Sequence, residues 1–454
     1  MIFASFGWSD LWGDFVFSAR AVVRPCRKPR SLSVSGAEIW SLSGGNIYVL
    51  YKSGYFKLIF GGSVLRGGDR ALDRGSPASR SDPGYTDETQ DGLSRLSLED
   101  AEILNPQQML NEFEVVNICA PMVRYSKLPF RQLVSEYETH ITFTPMILAQ
   151  EFCLSAKARD SDFSTNAAER GIFLMQESRS PSSSAPTIPD SHPVKKRKVR
   201  GSLVAQFGGH DPFYMGHAAA LIKKYVDGID INCGCPQQWA YKEGIGSALL
   251  RKPDLVRELV RSIKLSCGED FPVSIKIRID DDLRNTSQLI KTAIQANVSM
   301  ITVHGRTRRQ ASSYPVNLES IKFANEEARS SSHGTRVPVV ANGDIFSLDD
   351  ARKTREMCGV HGVMSARGLQ ENPALFAGYD RIPLAGIQRF LSLSAQNGFM
   401  FPLFHRHLAD MLGPWFSSRE EKKFFNMLSS PPSVIDFLEE TYNIQAPPLP
   451  EIIF

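Results

Sequence analysis

Cys235 closes the stretch Asp230-Ile231-Asn232-Cys233-Gly234-Cys235-Pro236, where a short apolar run meets Gly-Cys-Pro. Glycine and proline at that point stop a strand and turn the chain sharply. A thiol on such a turn can give or take a proton within reach of neutral pH. A lone cysteine is more often a small buried hydrophobe. Cys235 has company, because other apolar runs also end in groups that do chemistry: Pro121-Met122, Gln206, Asn232, Lys276, His304 with Arg306, Asn342-Gly343-Asp344 and Ala366-Arg367-Gly368. Singly, each has a structural explanation. Lys276 fits an outward position on an alternating strand, His304 a satisfied core histidine, and Asn342-Gly343 a turn. Jointly they describe a ligand site.

The last two groups say what kind of ligand. Gly343, Gly368 and Arg367 offer backbone N–H groups and a cation, the usual needs of a phosphate. A lysine such as Lys276 beneath a planar ring stabilises negative charge on it, as a reduced flavin requires. Phosphate, ring cation and nearby thiol together point to FMN. A metal centre on Cys233 and Cys235 is disfavoured, since no second Cys-x-x-Cys pair or histidine cluster completes four ligands.

These groups need a scaffold that brings many strand ends together. From about Leu104 apolar runs alternate with helical patterns: Val115–Ala120, Ile141–Thr144, Leu203–Phe207, Gly228–Asn232, Val273–Ile277, Met300–His304, Val337–Asn342 and Gly362–Ser365. Eight strand–helix repeats over roughly 265 residues match an α/β (β/α)8 TIM barrel, typically ~250 residues long, with its site at the strand ends. The doubly wound alternative lacks its Gly-x-Gly-x-x-Gly after the first strand. Gly244 to Leu250 follows the Cys235 turn and reads as a mobile loop over the site, hinged at its glycines.

Three segments lie outside the rhythm. Residues 1–104 form a leader to which no fold is assigned, and Gly67 to Asp100 has the Gly, Ser, Asp, Arg and Pro composition of a disordered linker. The barrel is expected over 105–382, interrupted by a Ser- and Pro-rich insertion at 178–201 that ends in Lys195-Lys196-Arg197-Lys198-Val199-Arg200. That run reads as a solvated flexible segment, as a nuclear import signal at Lys195–Lys198, or as a contact for RNA phosphates. Residues 383–454 carry helical spacings and form a small all-α appendage, in which Arg419, Lys422 and Lys423 offer a basic face.

Composition sets the outer bounds. The chain has 454 residues, 42% of them hydrophobic, and a net charge of +3, so any nucleic-acid surface must be a local patch. Its seven scattered cysteines fit a reducing compartment rather than a disulfide framework. No apolar run reaches the ~18 residues of a membrane span. The first residues lack the features of a secretory signal, and Asp10 and Asp14 count against a mitochondrial presequence. A soluble protein of the cytoplasm, the nucleus or both is expected, with no obligate protein partner evident.

The set of motifs resembles the tRNA-dihydrouridine synthases, flavoenzymes that reduce the C5–C6 double bond of uridine in tRNA. The matching pieces are Ala120-Pro121-Met122, Ala205-Gln206-Phe207, Asn232-Cys233-Gly234-Cys235-Pro236, Gly246–Leu250, Lys276-Ile277-Arg278, Val303–Thr307, Asn342-Gly343-Asp344 and Ala366-Arg367-Gly368. Val123–Leu128, Thr144-Pro145-Met146, Ser417–Lys423 and Ser433–Leu438 look like the eukaryotic branch acting at tRNA positions 20a and 20b. The resemblance implies FMN, reloaded by NADPH or NADH, and tRNA as partner. By the same resemblance Pro121 and Met122 line the flavin, Gln206 and Lys276 hold its polar edge, and His304 lies on its phosphate side. Asn342, Gly343, Asp344, Ala366 and Arg367 surround the phosphate, Cys235 protonates uracil C5, and Asn232, Arg306, Arg419, Lys422 and Lys423 meet the RNA. Two other readings remain: an FMN barrel acting on a free pyrimidine, and a non-catalytic tRNA-binding protein. The His304-Gly305-Arg306-Thr307 motif and the helical tail stand against the first, and the intact Cys235 and phosphate site against the second.

Overall fold

The computed structural model describes residues 100–178, 195–332 and 336–445 in full, and the backbone of four strands nearer the N-terminus. The chain divides into two compact units, 1–80 and 81–454.

In the second unit β1 (Val116–Cys119), β2 (Ile141–Phe143), β3 (Ser202–Gly208), β4 (Gly228–Cys233), β5 (Val273–Arg278), β6 (Met300–His304), β7 (Val339–Asn342) and β8 (Gly362–Ser365) run parallel. Each pairs with the next, and β8 pairs back to β1, so the sheet closes on itself. The runs are rich in Val and Ile and buried on both faces, as strands inside a ring of helices must be. β7 begins only after Pro338, which has no N–H to give the ladder. The strands are followed by α1 (Leu128–Ser135), α2 (Ala149–Leu154), α3 (Pro212–Ile222), α4 (Pro253–Cys267), α5 (Leu283–Gln295), α6 (Leu318–Ser331), α7 (Leu348–Cys358) and α8 (Arg367–Glu371). The expected (β/α)8 barrel is the fold.

Register does the positioning. Gln206 lies beside Asp230, and Asp230 beside Ser274. Asn232 lies beside Lys276 and Lys276 beside Thr302. Arg278 lies beside His304, and His304 beside Asn342. A one-residue slip would turn each of these side chains to the opposite face.

The helical appendage consists of α9 (Leu384–Gln396), α10 (Phe401–Met411), α11 (Arg419–Met427) and α12 (Pro431–Tyr442). α9 packs on α1, where Arg389 makes a two-pronged ion pair with Glu136 at 2.8–3.0 Å. Tyr125, in the loop after β1, donates to Asp410 at 2.7 Å, and the buried His407 ring meets the Tyr125 carbonyl at 3.0 Å. Appendage and barrel are thus joined at the rim of the first βα loop.

Two expectations change. The basic run is a strand: Lys196–Arg200 pairs with Ile172–Gln176 and with Glu102–Ile103. Val199 is fully buried, and Arg197 is held by Glu102, Glu112 and Glu177. A run fixed in this way is not a flexible segment. Residues 179–194 of the insertion lie outside the described residues. Gly246–Arg251 is a packed 3-10 turn with Ile245, Ser247, Leu249 and Leu250 buried, rather than a mobile loop. Nearer the N-terminus, Arg30–Val34 runs antiparallel to Ala37–Ser41 and Ile47–Lys52 antiparallel to Tyr55–Phe60. The linker expected to be disordered lies, up to residue 99, outside the described residues. Among the described residues no helix is long and apolar enough to cross a membrane.

Candidate active site

Two cavities meet at His304 in the mouth of the barrel. One, of ≈ 70 Å³, is lined by Asn342, Gly343, Asp344, Ala366, Arg367 and Gly368 from the ends of β7 and β8, together with Arg306. Gly343 has φ +129°, and a Cβ there would come within 2.7 Å of Val316, so the turn into the cavity requires glycine. Asp344 follows at φ 48° and is clamped by two guanidinium groups. Arg367 donates to its Oδ1 at 2.7 Å, and Arg306 pairs with its Oδ2. Arg306 also donates to the Ser312 carbonyl at 3.1 Å and to the carbonyl of Tyr314.

Arg306 was expected on the RNA surface, and the structure places it elsewhere. It is 2% exposed, and its donors are used on Asp344, His304 and the 312–314 backbone. It holds Asp344 and the 312–314 backbone together at the wall of the smaller cavity. Its Nη1 lies 3.2 Å from His304 Nε2, so that nitrogen accepts and the imidazole proton sits on Nδ1. Desolvation first, then the cations Lys276, Arg278, Arg306 and Arg367, push the His304 pKa down to about 2. His304 is therefore a neutral donor.

The other cavity, of ≈ 200 Å³, brings together Pro121, Gln206, Asn232, Cys235, Lys276 and Arg278. Met122 is buried and absent from this lining, its N–H given to Ser126 Oγ at 2.9 Å. Lys276 Nζ donates to Asn342 Oδ1 at 2.8 Å, while Asn342 Nδ2 is spent on the Met364 carbonyl at 2.8 Å. The amide thus turns its oxygen to the lysine. Desolvation, and then Arg278, bring the Lys276 pKa down to about 8.

Cys235 is partly exposed at the edge of this cavity. Asn232 Oδ1 accepts the backbone N–H groups of Gly234 at 3.1 Å and Cys235 at 2.9 Å, which shapes the turn. From behind, Ser247 donates its N–H to the Cys235 carbonyl at 3.0 Å. Gly246, at φ +63°, lies so close that a Cβ would stand 2.8 Å from Cys235 Cβ. Glycine here serves close approach rather than hinge motion. Cys233 differs in every respect: it is 0% exposed inside the strand, and burial holds its thiol well above the ordinary range.

Wider clefts occur elsewhere, among them ≈ 540 Å³ beside α4 and ≈ 620 Å³ between Tyr125 and α10, but neither gathers such a set of converging polar groups. Among the described residues no group of three or more His, Cys, Asp or Glu side chains is arranged to hold a metal ion. The expected RNA-facing residues Arg419, Lys422 and Lys423 lie exposed on α11, beside the exposed Phe424 and Met427. They are not brought to the cavity lining.

Sequence reasoning missed Asp230, fully buried on β4 among Gln206, Ser274 and Lys276. An acidic residue inside an apolar strand run was the available signal.

Residues 118–415 match the protein family described as Dihydrouridine synthase (Dus). The chain is 45% identical to "tRNA-dihydrouridine(20a/20b) synthase [NAD(P)+]" of Schizosaccharomyces pombe over 74% of its own length and 90% of the relative's. It is 42% identical to a mouse protein and 41% identical to a human protein, both named "tRNA-dihydrouridine(20a/20b) synthase [NAD(P)+]-like". Those alignments cover 74% and 75% of this chain and 92% and 95% of the relatives.

Proposed function

The chain belongs to the dihydrouridine synthase family, and on that premise we propose that it reduces uridines of tRNA, at positions 20a and 20b, to 5,6-dihydrouridine. It acts as an oxidoreductase on a carbon–carbon double bond, with FMN bound in the barrel mouth and NADPH or NADH as reductant. The donor set fits that cofactor. Arg367 and the glycine backbone at 343 and 368 suit a phosphate, with Arg306 held behind them on Asp344, and Lys276 suits the electron-rich edge of a reduced ring. Gln206 and Asn342 offer the neutral polar contacts, and Pro121 an apolar wall. When bound, FMN supplies the hydride that reaches uracil C6.

The observation that carries the reading is Cys235, a partly exposed thiol on a fixed turn at the edge of the cavity that holds Lys276. Hydride addition at C6 leaves an enolate-like centre, and the Cys235 S–H gives its proton to C5. A uridine normally stacks inside folded RNA and must be extruded to reach this depth. The exposed cations of α11 attract the tRNA backbone. Purified protein supplied with FMN, NADPH and tRNA lacking the modification should form dihydrouridine at 20a and 20b, read by mapping each position. A yellow, nicotinamide-reducible protein that leaves tRNA unchanged would overturn the proposal.

A further inference from the structure

Asp230 is a carboxylate with no exposure at all, at the centre of β4. Its oxygens are both taken: Oδ2 accepts from Gln206 Nε2 at 2.8 Å, and Oδ1 from Ser274 Oγ at 2.6 Å. The hydrogen bonds run on from there. Asn232 Nδ2 donates to Gln206 Oε1 at 2.7 Å, and Asn232 Oδ1 takes the N–H groups of Gly234 and Cys235.

The chemistry of this chain of contacts has a direction. An ionised carboxylate only accepts, whereas each primary amide has one accepting and one donating end. Gln206 must therefore turn its NH₂ toward Asp230. That leaves Oε1 for Asn232, whose own NH₂ is then committed, and only its oxygen remains for the turn. Were Gln206 reversed, Asn232 would reverse too, and its NH₂ would face two N–H donors. The turn under Cys235 would open.

Asp230 has no hydrogen-bonded cation to explain its presence. Lys276 Nζ, the nearby amine, is bonded to Asn342 instead. A buried charge without a bonded cation is costly, and an apolar side chain would serve the barrel core better. Burial raises the Asp230 pKa to about 6, while Ser274 and Gln206, one donor on each oxygen, favour the ionised form. We infer that Asp230 is a positioning residue for uridine reduction: it sets the amide orientations of Gln206 and Asn232 and thereby the turn that presents Cys235. The role in turnover rests on the proposed function; the role in the turn does not.

The test uses the full chain and two readouts. The first is alkylation of Cys235 by iodoacetamide without flavin or tRNA, followed by peptide mass spectrometry. Buried Cys233 serves as the internal control, since it reacts only if the barrel opens. The second readout is kcat and KM for tRNA. Asp230→Asn loses the acceptor-only group and keeps the orientation only where its carbonyl faces Gln206 and its NH₂ goes to Ser274 Oγ, so it should lose less than the double variant. Ser274→Ala should also be mild, because Asp230 still accepts from Gln206. Combining the two frees the new amide to turn its NH₂ to Gln206. The double variant should change Cys235 alkylation several-fold with Cys233 still protected, and kcat should fall by about 10²-fold, as for a misplaced reacting group, with KM little changed. Asp230→Ala should behave like the double variant if it folds; if Cys233 becomes reactive, the near-isosteric pair decides alone. A double variant no worse than the sum of its parts would overturn the inference. If wild-type protein leaves tRNA unchanged, the proposed function fails, while the alkylation contrast still decides what Asp230 does.

Discussion

The cations of the barrel mouth and those of α11 are the same residue types put to opposite use. In the mouth, Lys276 is bonded to Asn342, Arg278 to the carbonyls of Gly234 and Thr307, and Arg306 to Asp344 and the 312–314 backbone. Each is fixed before any ligand arrives, in surroundings where charge is poorly screened. On α11, Arg419, Lys422 and Lys423 are exposed, and no carboxylate pairs with them among the described residues. Fixed interior cations recognise one small anion in one pose. Free surface cations attract a polyanion additively, within a Debye length of ~8 Å at physiological salt. Changes in the mouth should therefore be large, single and indifferent to salt, and changes on α11 small, cumulative and salt-dependent.

Cys235→Ala should give the largest effect. Reduction of tRNA should fall by the ~10²–10⁴-fold typical of a missing general acid, at every salt concentration. Flavin content and reduction of the flavin by nicotinamide should not change, because neither step needs a proton delivered to uracil. Cys233→Ala should do the reverse, costing about 1 kcal/mol of stability by loosening a packed strand while tRNA reduction persists. If Cys233→Ala were the variant that abolished reduction, the proton donor would be misassigned.

Arg367→Ala should come next. It removes a guanidinium from the anion pocket and one of the two clamps on Asp344. Without that charge-assisted hydrogen bond, FMN retention should weaken by about 10–100-fold, measured by flavin fluorescence after dilution. The salt dependence of tRNA binding should stay as it was, and a change in that slope would erase the distinction between the two regions.

Lys276 should show a smaller effect, through pH. Its amine is charged below about 8 and neutral above, since desolvation in the mouth has lowered the pKa from the ordinary lysine value. FMN affinity should decline as pH rises through that value, by at most about tenfold per unit for one proton. Lys276→Met should bind FMN more weakly at pH 7 and show no alkaline decline. A decline that survives in Lys276→Met belongs to another group.

The scaffold was open to reading because a βα repeat is local. Every barrel strand is an apolar run ended by a glycine, proline or polar group, and the observed strands lie within a residue or two of those runs. Register then brought Gln206, Asn232, Lys276, His304 and Asn342 together without further information. What escaped depends on partners distant in sequence. Arg197 finds Glu102, Glu112 and Glu177 only once three segments meet in a sheet. Arg306 is buried because the 312–316 backbone folds back over it. Gly246 does not announce its role, since a glycine needed for close approach has the same letter as one needed for a hinge.

The smallest expected effect is on α11, and it tests the other half of the contrast. Replacing Arg419, Lys422 and Lys423 together by Gln keeps the helix, because Ser418 still caps it and Phe425 still fills the core. Each cation that no longer neutralises a phosphate should lower the slope of log affinity against log salt by about 0.9, so all three together lower it by at most about 3. Binding of tRNA should weaken at low salt and converge with wild type as salt rises. FMN retention, the rate of flavin reduction and the alkylation of Cys235 should all stay unchanged, since no element of the mouth has been touched. Single substitutions should each give roughly a third of the slope change, because exposed charges act independently. An unchanged affinity and slope would make α11 a structural helix with a solvated face. A change confined to one residue and insensitive to salt would mean that a fixed contact of the kind found in the barrel mouth exists on this surface too.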